Sequence, residues 1–127
     1  AEKFGSLEDF KFLIDEAHSW GIRVLVEFVM NHTSDQHSWF KESRSSRDNP
    51  KRDWYIWSDT AEKYSGVRII FVDTEDSNWA LDQGTGQYYY HRFFSHQPDL
   101  NYDNPEVQAA VIDVLRYWID LGADGFR

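Results

Sequence analysis

Apolar residues recur with helical spacing near the start of the chain, and a nearly continuous apolar run follows them. Ser6 with Asp9 three residues later predicts a capping box at the first helical turn, and Gly21 predicts the end of this helix. Residues 22–30 are apolar and β-branched on both faces, which is typical of a buried strand in a parallel sheet. The apolar stripe of the helix consists of Leu7, Phe10, Leu13, Ile14 and Ala17.

The same order of helix, glycine and buried strand returns at the end of the chain. Asn104 is a capping residue, Pro105 takes the first helical position, and Gly122 follows the last helical residue. Residues 123–127 then begin a second strand. Two such units favour an α/β fold, either a parallel barrel or a doubly wound sheet. The stripe of this helix consists of Val107, Ala110, Val111, Val114, Leu115, Trp118 and Ile119.

Residues 33–103 separate the two units, and this segment is far longer than an ordinary strand-to-helix loop of roughly 2–6 residues. The apolar runs 67–72 and 88–94 predict short strands on either side of a turn at 82–86. Residues 43–52 are polar and basic and predict a solvated loop. We therefore predict a small antiparallel subdomain at 33–103, inserted between segments 1–32 and 104–127 at the sheet edge where parallel α/β folds carry their chemistry.

Composition narrows the function classes. The 127 residues carry 13 Lys and Arg against 22 Asp and Glu, a net charge of −9, which argues against binding to nucleic acid or to an anionic membrane. The chain has no cysteine, so disulfides and thiolate metal sites are excluded. No apolar run reaches the roughly 20 residues of a membrane span. Aromatic residues make up 17%, which predicts a packed core and is also compatible with a surface that stacks on sugar rings.

Three short segments carry candidate chemistry. Glu27 lies in the first apolar strand, where an unpaired carboxylate is costly, and Arg127 lies in the second. If these strands are neighbours, about 4.8 Å apart, the two side chains can form a bidentate ion pair. Residues 96–105 are rich in Asp, Asn and Pro. Considered alone, this segment is a turn leading into the capped helix, and Glu27 is a solvated acid at the rim of the sheet.

In this order and spacing the three segments resemble the α-amylase family of glycoside hydrolases. Glu-Phe-Val-Met-Asn-His at 27–32 resembles the strand-three motif, which usually begins with Asp. Gln-Pro-Asp-Leu-Asn at 97–101 resembles the motif near the end of the inserted domain B. Gly-Phe-Arg at 125–127 resembles the start of the strand-four motif. The flanking segments 31–37, 69–75 and 90–102 are similar to the trehalose synthase subfamily, whose members interconvert maltose and trehalose.

The resemblance implies an internal fragment of a (β/α)8 barrel, holding helix two, strand three, domain B, helix three and the opening of strand four. It also implies a retaining mechanism through a glucosyl-enzyme intermediate. The nucleophile is expected two residues after Arg127, so none of the catalytic carboxylates falls within this chain, which alone is expected to be inactive. The alternatives are an α-glucosidase or oligo-1,6-glucosidase, a non-catalytic amylase-like domain, and, least favoured, an independent sugar-binding module.

Site residues follow from the same resemblance. His32 matches the histidine that contacts the sugar hydroxyls, and Arg127 matches the arginine that keeps the nucleophile ionised. Gln97 and Phe94 are expected to line the sugar pocket, and Glu27 to support Arg127.

The resemblance also implies a cofactor and partners. Asn31 and Asp99 match ligands of a structural calcium ion, for which amide and carboxylate oxygens are suited. No organic cofactor is expected, and the expected partners are small α-glucosides such as maltose and trehalose, in a cytoplasmic enzyme.

Overall fold

The computed structural model describes residues 2–127, which divide into two compact units. The first unit contains residues 2–29 and 109–127, and the second contains Met30–Gln108. Two short 3-10 turns at Glu2–Phe4 and Arg52–Trp54 accompany the helices and strands. In chain order these are α1 (Leu7–Ser19), β1 (Leu25–Val26), α2 (Ser38–Ser45), β2 (Trp57–Ser58), β3 (Trp79–Asp82), β4 (Gln87–Tyr90), α3 (Pro105–Asp120) and β5 (Gly125–Phe126).

The predicted ends of α1 are confirmed. The Ser6 hydroxyl accepts a hydrogen bond from the Asp9 amide at 3.2 Å, and the Asp9 carboxylate accepts one from the Ser6 amide at 2.8 Å. This reciprocal pair satisfies two amides that the first helical turn leaves without partners. Gly21 has φ +70°, so it supplies the left-handed residue that ends the helix.

The predicted start and end of α3 are also confirmed. The Asn104 side-chain oxygen accepts a hydrogen bond from the Glu106 amide at 2.9 Å, and Pro105 is the first helical residue. Gly122 has φ +110° and follows the helix. Its missing side chain leaves room for Ile14, whose methyl group would lie 3.0 Å from a Cβ at that position. The glycine is therefore required both by its backbone conformation and by the close approach of Ile14.

The two buried strands of the sequence prediction are parallel neighbours, but they are shorter and more exposed than expected. Leu25 pairs with Gly125 and Val26 with Phe126. The prediction of a strand over 22–30 with both faces covered was wrong, since backbone hydrogen bonds to the second strand extend only from Val24 to Phe28 and Leu25 is 65% exposed. Within residues 2–127, β5 is the one strand that hydrogen-bonds to β1, and one further bond runs from the Phe28 amide to the Arg127 carbonyl at 3.0 Å.

The second unit contains an antiparallel sheet in the order β2-β4-β3, as predicted for an inserted subdomain. The turn at 83–86 joins β3 to β4. The prediction of strands at 67–72 and 88–94 was wrong in its bounds, because β3 is formed by Trp79–Asp82 and β4 ends at Tyr90. The Val67 carbonyl accepts a hydrogen bond from the Asn78 side chain instead of joining a ladder.

The core of the second unit is aromatic and includes residues expected in solvent. Phe40 of α2 is fully buried and contacts the rings of Tyr55, Trp57 and Tyr89. The prediction of a solvated loop over 43–52 was wrong, since α2 runs through Ser45 and the Ser43 side chain is fully buried. The charge on Arg52 does not keep it in solvent, because its guanidinium lies 3.3 Å from the Trp57 ring centroid and donates to the Ser43 carbonyl.

Across residues 2–127 the helices fall short of the length and apolar character that crossing a bilayer would require.

Candidate functional site

An isolated antiparallel bridge in the second unit brings three of the predicted site residues together. His32 forms a bridge with Asp99, and the Leu100 amide donates to the Asn31 carbonyl at 3.0 Å. The Thr33 amide donates to the Pro98 carbonyl at 3.3 Å. Residues 67 positions apart in sequence therefore lie on adjacent backbone segments, and the side chains of Asn31 and Asp99 are close enough to hydrogen-bond.

The His32 imidazole lies against an aromatic ring, and its pKa is lowered. Its ring centroid is 5.4 Å from that of Phe93. Burial lowers the pKa of His32 below its ordinary value, and the positive charge of His96 lowers it further. A neutral imidazole can donate one hydrogen bond and accept another, which suits contact with a sugar hydroxyl.

Asp99 and Asn31 are the two residues predicted to bind calcium. Asp99 is 7% exposed, and one of its carboxylate oxygens accepts a hydrogen bond from the Arg92 amide at 2.9 Å. Burial raises the pKa of Asp99, although hydrogen bonds from Arg92 and Asn31 oppose the rise. Over residues 2–127 Asp99 forms no salt bridge, so a bound cation would compensate this buried carboxylate.

The side-chain oxygens of Asn31 and Asp99 are of the kind that calcium prefers, but they would supply only a minority of its coordination shell. Calcium takes about 6–8 oxygen ligands, of which Asn31 and Asp99 would provide two or three. No group of three or more His, Asp or Glu side chains that could hold a metal ion is found in residues 2–127. The calcium prediction thus remains a prediction, with the donor chemistry in its favour.

Phe94 and Gln97 lie in the loop that follows β4, and both make contacts within that loop. The Phe94 ring is stacked between Phe71, at a centroid distance of 4.1 Å, and His96, at 5.3 Å. The Gln97 side-chain oxygen accepts a hydrogen bond from the Phe94 amide at 3.3 Å. The aromatic contact of His32 is with Phe93 instead, so the expected pocket roles of Phe94 and Gln97 remain predictions.

Glu27 and Arg127 lie in the first unit, one residue beyond the paired residues of β1 and β5. Their side chains form an ion pair with an N–O distance of 2.7 Å, and both are exposed. The expected pairing of neighbouring strands is confirmed, but the contact is a single hydrogen bond from one Arg127 nitrogen and not bidentate. This hydrogen bond and the charge of Glu27 raise the pKa of Arg127.

Sequence reasoning missed three residues that surround His32 and the loop after β4. Phe93 contacts His32, while Glu75 and His91 hold the loop that carries Phe93. Phe93 and Phe94 are adjacent and chemically identical, so no local pattern distinguishes the ring that faces His32. His91 lies between three tyrosines and two phenylalanines, and this was the available signal that its polar groups are buried and paired, whereas Glu75 has the polar neighbours Thr74 and Asp76 and gives no such signal.

Comparison with known proteins gives concordant matches over the whole chain. A family model described as Alpha amylase, catalytic domain, matches residues 1–127. Trehalose synthase/amylase TreS of Mycolicibacterium smegmatis is 62% identical over 125 residues, 98% of this chain and 21% of the relative. A probable alpha-glucosidase of Rhizobium meliloti is 49% identical over 124 residues, 98% of this chain and 22% of the relative.

A solved structure agrees with these sequence matches. The trehalulose synthase MutB R284C mutant superimposes with a TM-score of 0.89 at 43% identity, covering 99% of this chain and 22% of that one. The chain spans about a fifth of the length of these curated relatives.

Proposed function

We propose that this chain, which belongs to the alpha-amylase family of catalytic domains, forms part of the active site of an enzyme that interconverts maltose and trehalose. The family model and the solved relatives confirm the predicted fold class, an α/β fold containing part of a (β/α)8 barrel. The observation that carries the substrate assignment is the 62% identity with a trehalose synthase over 125 residues, against 49% with an alpha-glucosidase over 124 residues.

The proposed reaction is retaining. A carboxylate attacks the anomeric carbon of the glucosyl unit while an acid protonates the leaving oxygen, and a covalent glucosyl-enzyme forms. We place the nucleophile two residues after Arg127 and the acid further along the protein. In an isomerase the leaving glucose stays in the site and attacks through its anomeric hydroxyl, whereas in a hydrolase water attacks instead.

The residues of this chain bind and polarise the sugar in this scheme. His32, neutral because burial lowers its pKa, forms a hydrogen bond with a hydroxyl of the reacting glucose. Arg127, which donates a hydrogen bond to Glu27, places a permanent positive charge beside the nucleophile and keeps that carboxylate ionised.

Product analysis of the full-length protein tests this function. Maltose is incubated in water enriched in oxygen-18, and trehalose and glucose are quantified together with their isotope content. Trehalose without oxygen-18 is the expected product, since the leaving glucose re-adds without exchange with water. Glucose labelled at the anomeric oxygen as the sole product would identify a hydrolase, and no turnover would favour a non-catalytic amylase-like domain.

A matched pair of histidine variants tests the role of His32. We expect His32→Gln to lower kcat/KM for maltose by about 10²-fold, because a group that stabilises the transition state by hydrogen bonding is lost or displaced. The control is His37→Asn. His37 caps α2 by accepting from the Trp39 amide, and Asn is also a good capping residue, so this variant removes an imidazole while preserving the helix.

Calcium belongs to this proposal as a structural ion. Asn31 and Asp99 would hold it, and its positive charge would neutralise the buried Asp99 carboxylate. We expect a chelator to lower the thermal midpoint of the full-length protein and added calcium to restore it. An identical midpoint with and without chelator would contradict the assignment. The cytoplasmic location also remains a proposal, for which cell fractionation is the test.

A further inference from the structure

Most of the backbone polar groups in the loop that follows β4, residues 91–97, have hydrogen-bond partners. The Arg92 amide donates to Asp99, the Phe94 amide to the Gln97 side chain, and the Gln97 amide to the Phe94 carbonyl. The Ser95 carbonyl accepts from the Tyr89 hydroxyl at 2.9 Å, and the His96 carbonyl accepts from the Asp35 amide at 2.9 Å. These hydrogen bonds restrict the backbone on both sides of Phe93 before any ligand binds.

The side chains of Glu75 and His91 hydrogen-bond to the backbone of this loop. The His91 side chain is 1% exposed, and its Nδ1 donates to the Phe93 carbonyl at 3.2 Å. One oxygen of Glu75 accepts from both the Ser95 amide, at 2.9 Å, and the Ser95 hydroxyl, at 3.2 Å. The other Glu75 oxygen lies 4.0 Å from His91 Nε2. His91 therefore binds the backbone at Phe93, and Glu75 binds it at Ser95, immediately after Phe94.

The segment that carries Glu75 makes a second contact with the same loop. The Phe71 ring stacks on Phe94 with the two planes 3° apart, and the Glu75 amide donates to the Phe71 carbonyl at 2.8 Å. The ring contact and the carboxylate contact thus come from a single turn, residues 71–75. Displacement of this turn would release the loop at two points together.

We propose that Glu75 and His91 are positioning residues that keep Phe93 against His32 and so exclude water from the glucose site. This inference rests on the proposed function, and it explains how one chain favours isomerisation over hydrolysis. Hydrolysis requires water to attack the anomeric carbon of the glucosyl-enzyme ester. The bond from that carbon to the enzyme carboxylate then breaks, and the water loses a proton to the general base. A loosened loop admits this competing nucleophile.

Four variants of the full-length protein separate the contacts. Glu75→Ala removes both contacts of the carboxylate, and Glu75→Gln keeps an acceptor for Ser95. His91→Ala removes the imidazole, and His91→Asn keeps a donor near the position of Nδ1. Asp73→Asn is the matched control, because Asp73 is an exposed acid of the same turn.

The ratio of glucose to trehalose formed from maltose is the main measurement. We expect Glu75→Ala and His91→Ala to raise this ratio about tenfold, with Glu75→Gln and His91→Asn in between and the control unchanged. A merely structural role would lower both products together and leave the ratio constant, and that result would overturn the inference. Circular dichroism identifies any alanine variant that fails to fold, in which case Glu75→Gln and His91→Asn decide.

A second measurement separates failure of this inference from failure of the proposed function. If the wild-type protein yields glucose alone, the isomerase assignment fails, but competitive inhibition by glucose still reports on the loop. We expect the inhibition constant to rise in the Glu75 and His91 variants, because Phe93 no longer covers the bound sugar. An unchanged inhibition constant would overturn the positioning role in a hydrolase as well.

Discussion

Phe40→Ala should open the second unit while leaving the first unit intact. The Phe40 ring is fully buried, and its centroid lies 5.0 Å from that of Tyr55, 5.1 Å from that of Tyr89 and 5.9 Å from that of Trp57. These residues belong to α2, to β2, to β4 and to the segment before β2. One truncation therefore removes contacts among four segments.

The expected cost can be estimated from these contacts. Truncating a buried Phe to Ala costs about 3–5 kcal/mol, from lost transfer free energy and from the cavity that remains. Two of the three ring pairs are edge-on, a geometry that contributes about 0.5–1.5 kcal/mol per pair beyond burial and favours the upper half of that range. Since about 1.4 kcal/mol corresponds to a factor of ten, a cost of about 4–5 kcal/mol should make the open form roughly 10³ times more populated or slightly more.

Hydrogen exchange of the full-length protein provides the assay. The amides of β4 should exchange roughly 10³ times faster in Phe40→Ala, under conditions where reclosing outpaces chemical exchange. Phe40→Leu is the matched control, because it keeps most of the apolar volume and should cost only about 1–1.5 kcal/mol. The amides of β1 and β5 serve as the internal reference. An increase at β4 of less than about tenfold would refute the assignment of Phe40 as the central core residue.

Three further predictions follow from capping and from the cited pKa shifts. Ser6→Ala should destabilise α1 by about 1 kcal/mol, measured as faster amide exchange in its first turn. Burial of Asp82 would raise its pKa, but hydrogen bonds from Thr85 and Arg44 lower the pKa overall. The stabilisation that this carboxylate contributes is therefore present above about pH 4 and is lost as pH falls through the depressed pKa. Proteolysis of the 83–86 turn should show this pH dependence in the wild type, and Asp82→Asn should abolish it. Burial raises the pKa of Tyr55 from 10.0 to about 12, so stability should fall as pH rises above 10, and Tyr55→Phe should remove that loss in alkaline denaturation.

The helix ends, which are set by contacts over a few residues, were predictable from the sequence. The capping box at Ser6, the cap at Asn104 and the left-handed glycines each depend on contacts within four residues. The pairing of Glu27 with Arg127 was also predictable, although these residues are far apart in sequence. Their positions follow from two consecutive strand units of a parallel sheet, in which neighbouring strands end at the same edge.

Which segments form strands in the second unit depends on the strands they pair with, and the local sequence pattern does not specify that pairing. The run from Val67 to Val72 has strand-like composition, but Trp79–Asp82 pairs with β4 because Trp79 and Tyr90 lie opposite each other and pack their rings 5.1 Å apart. Arg52 was assigned to solvent because of its charge, yet its guanidinium is buried against Trp57. Both errors arise where tertiary contacts override the preference of the segment.

The bridge between His32 and Asp99 also brings the two ends of the inserted segment, residues 33–98, close together, so that the segment could be moved to another protein as a unit. The chain enters the segment at Asn31–Thr33 and leaves it at Pro98–Leu100, and these two stretches are hydrogen-bonded to each other. Antiparallel partners have Cα atoms about 4.5–5.5 Å apart, so a host scaffold need only offer two backbone ends at that spacing to accept residues 33–98. The length and sequence of the segment can then change without shifting the register of the host strands. Loop-swap chimeras between members of this family should therefore keep the register of the host strands.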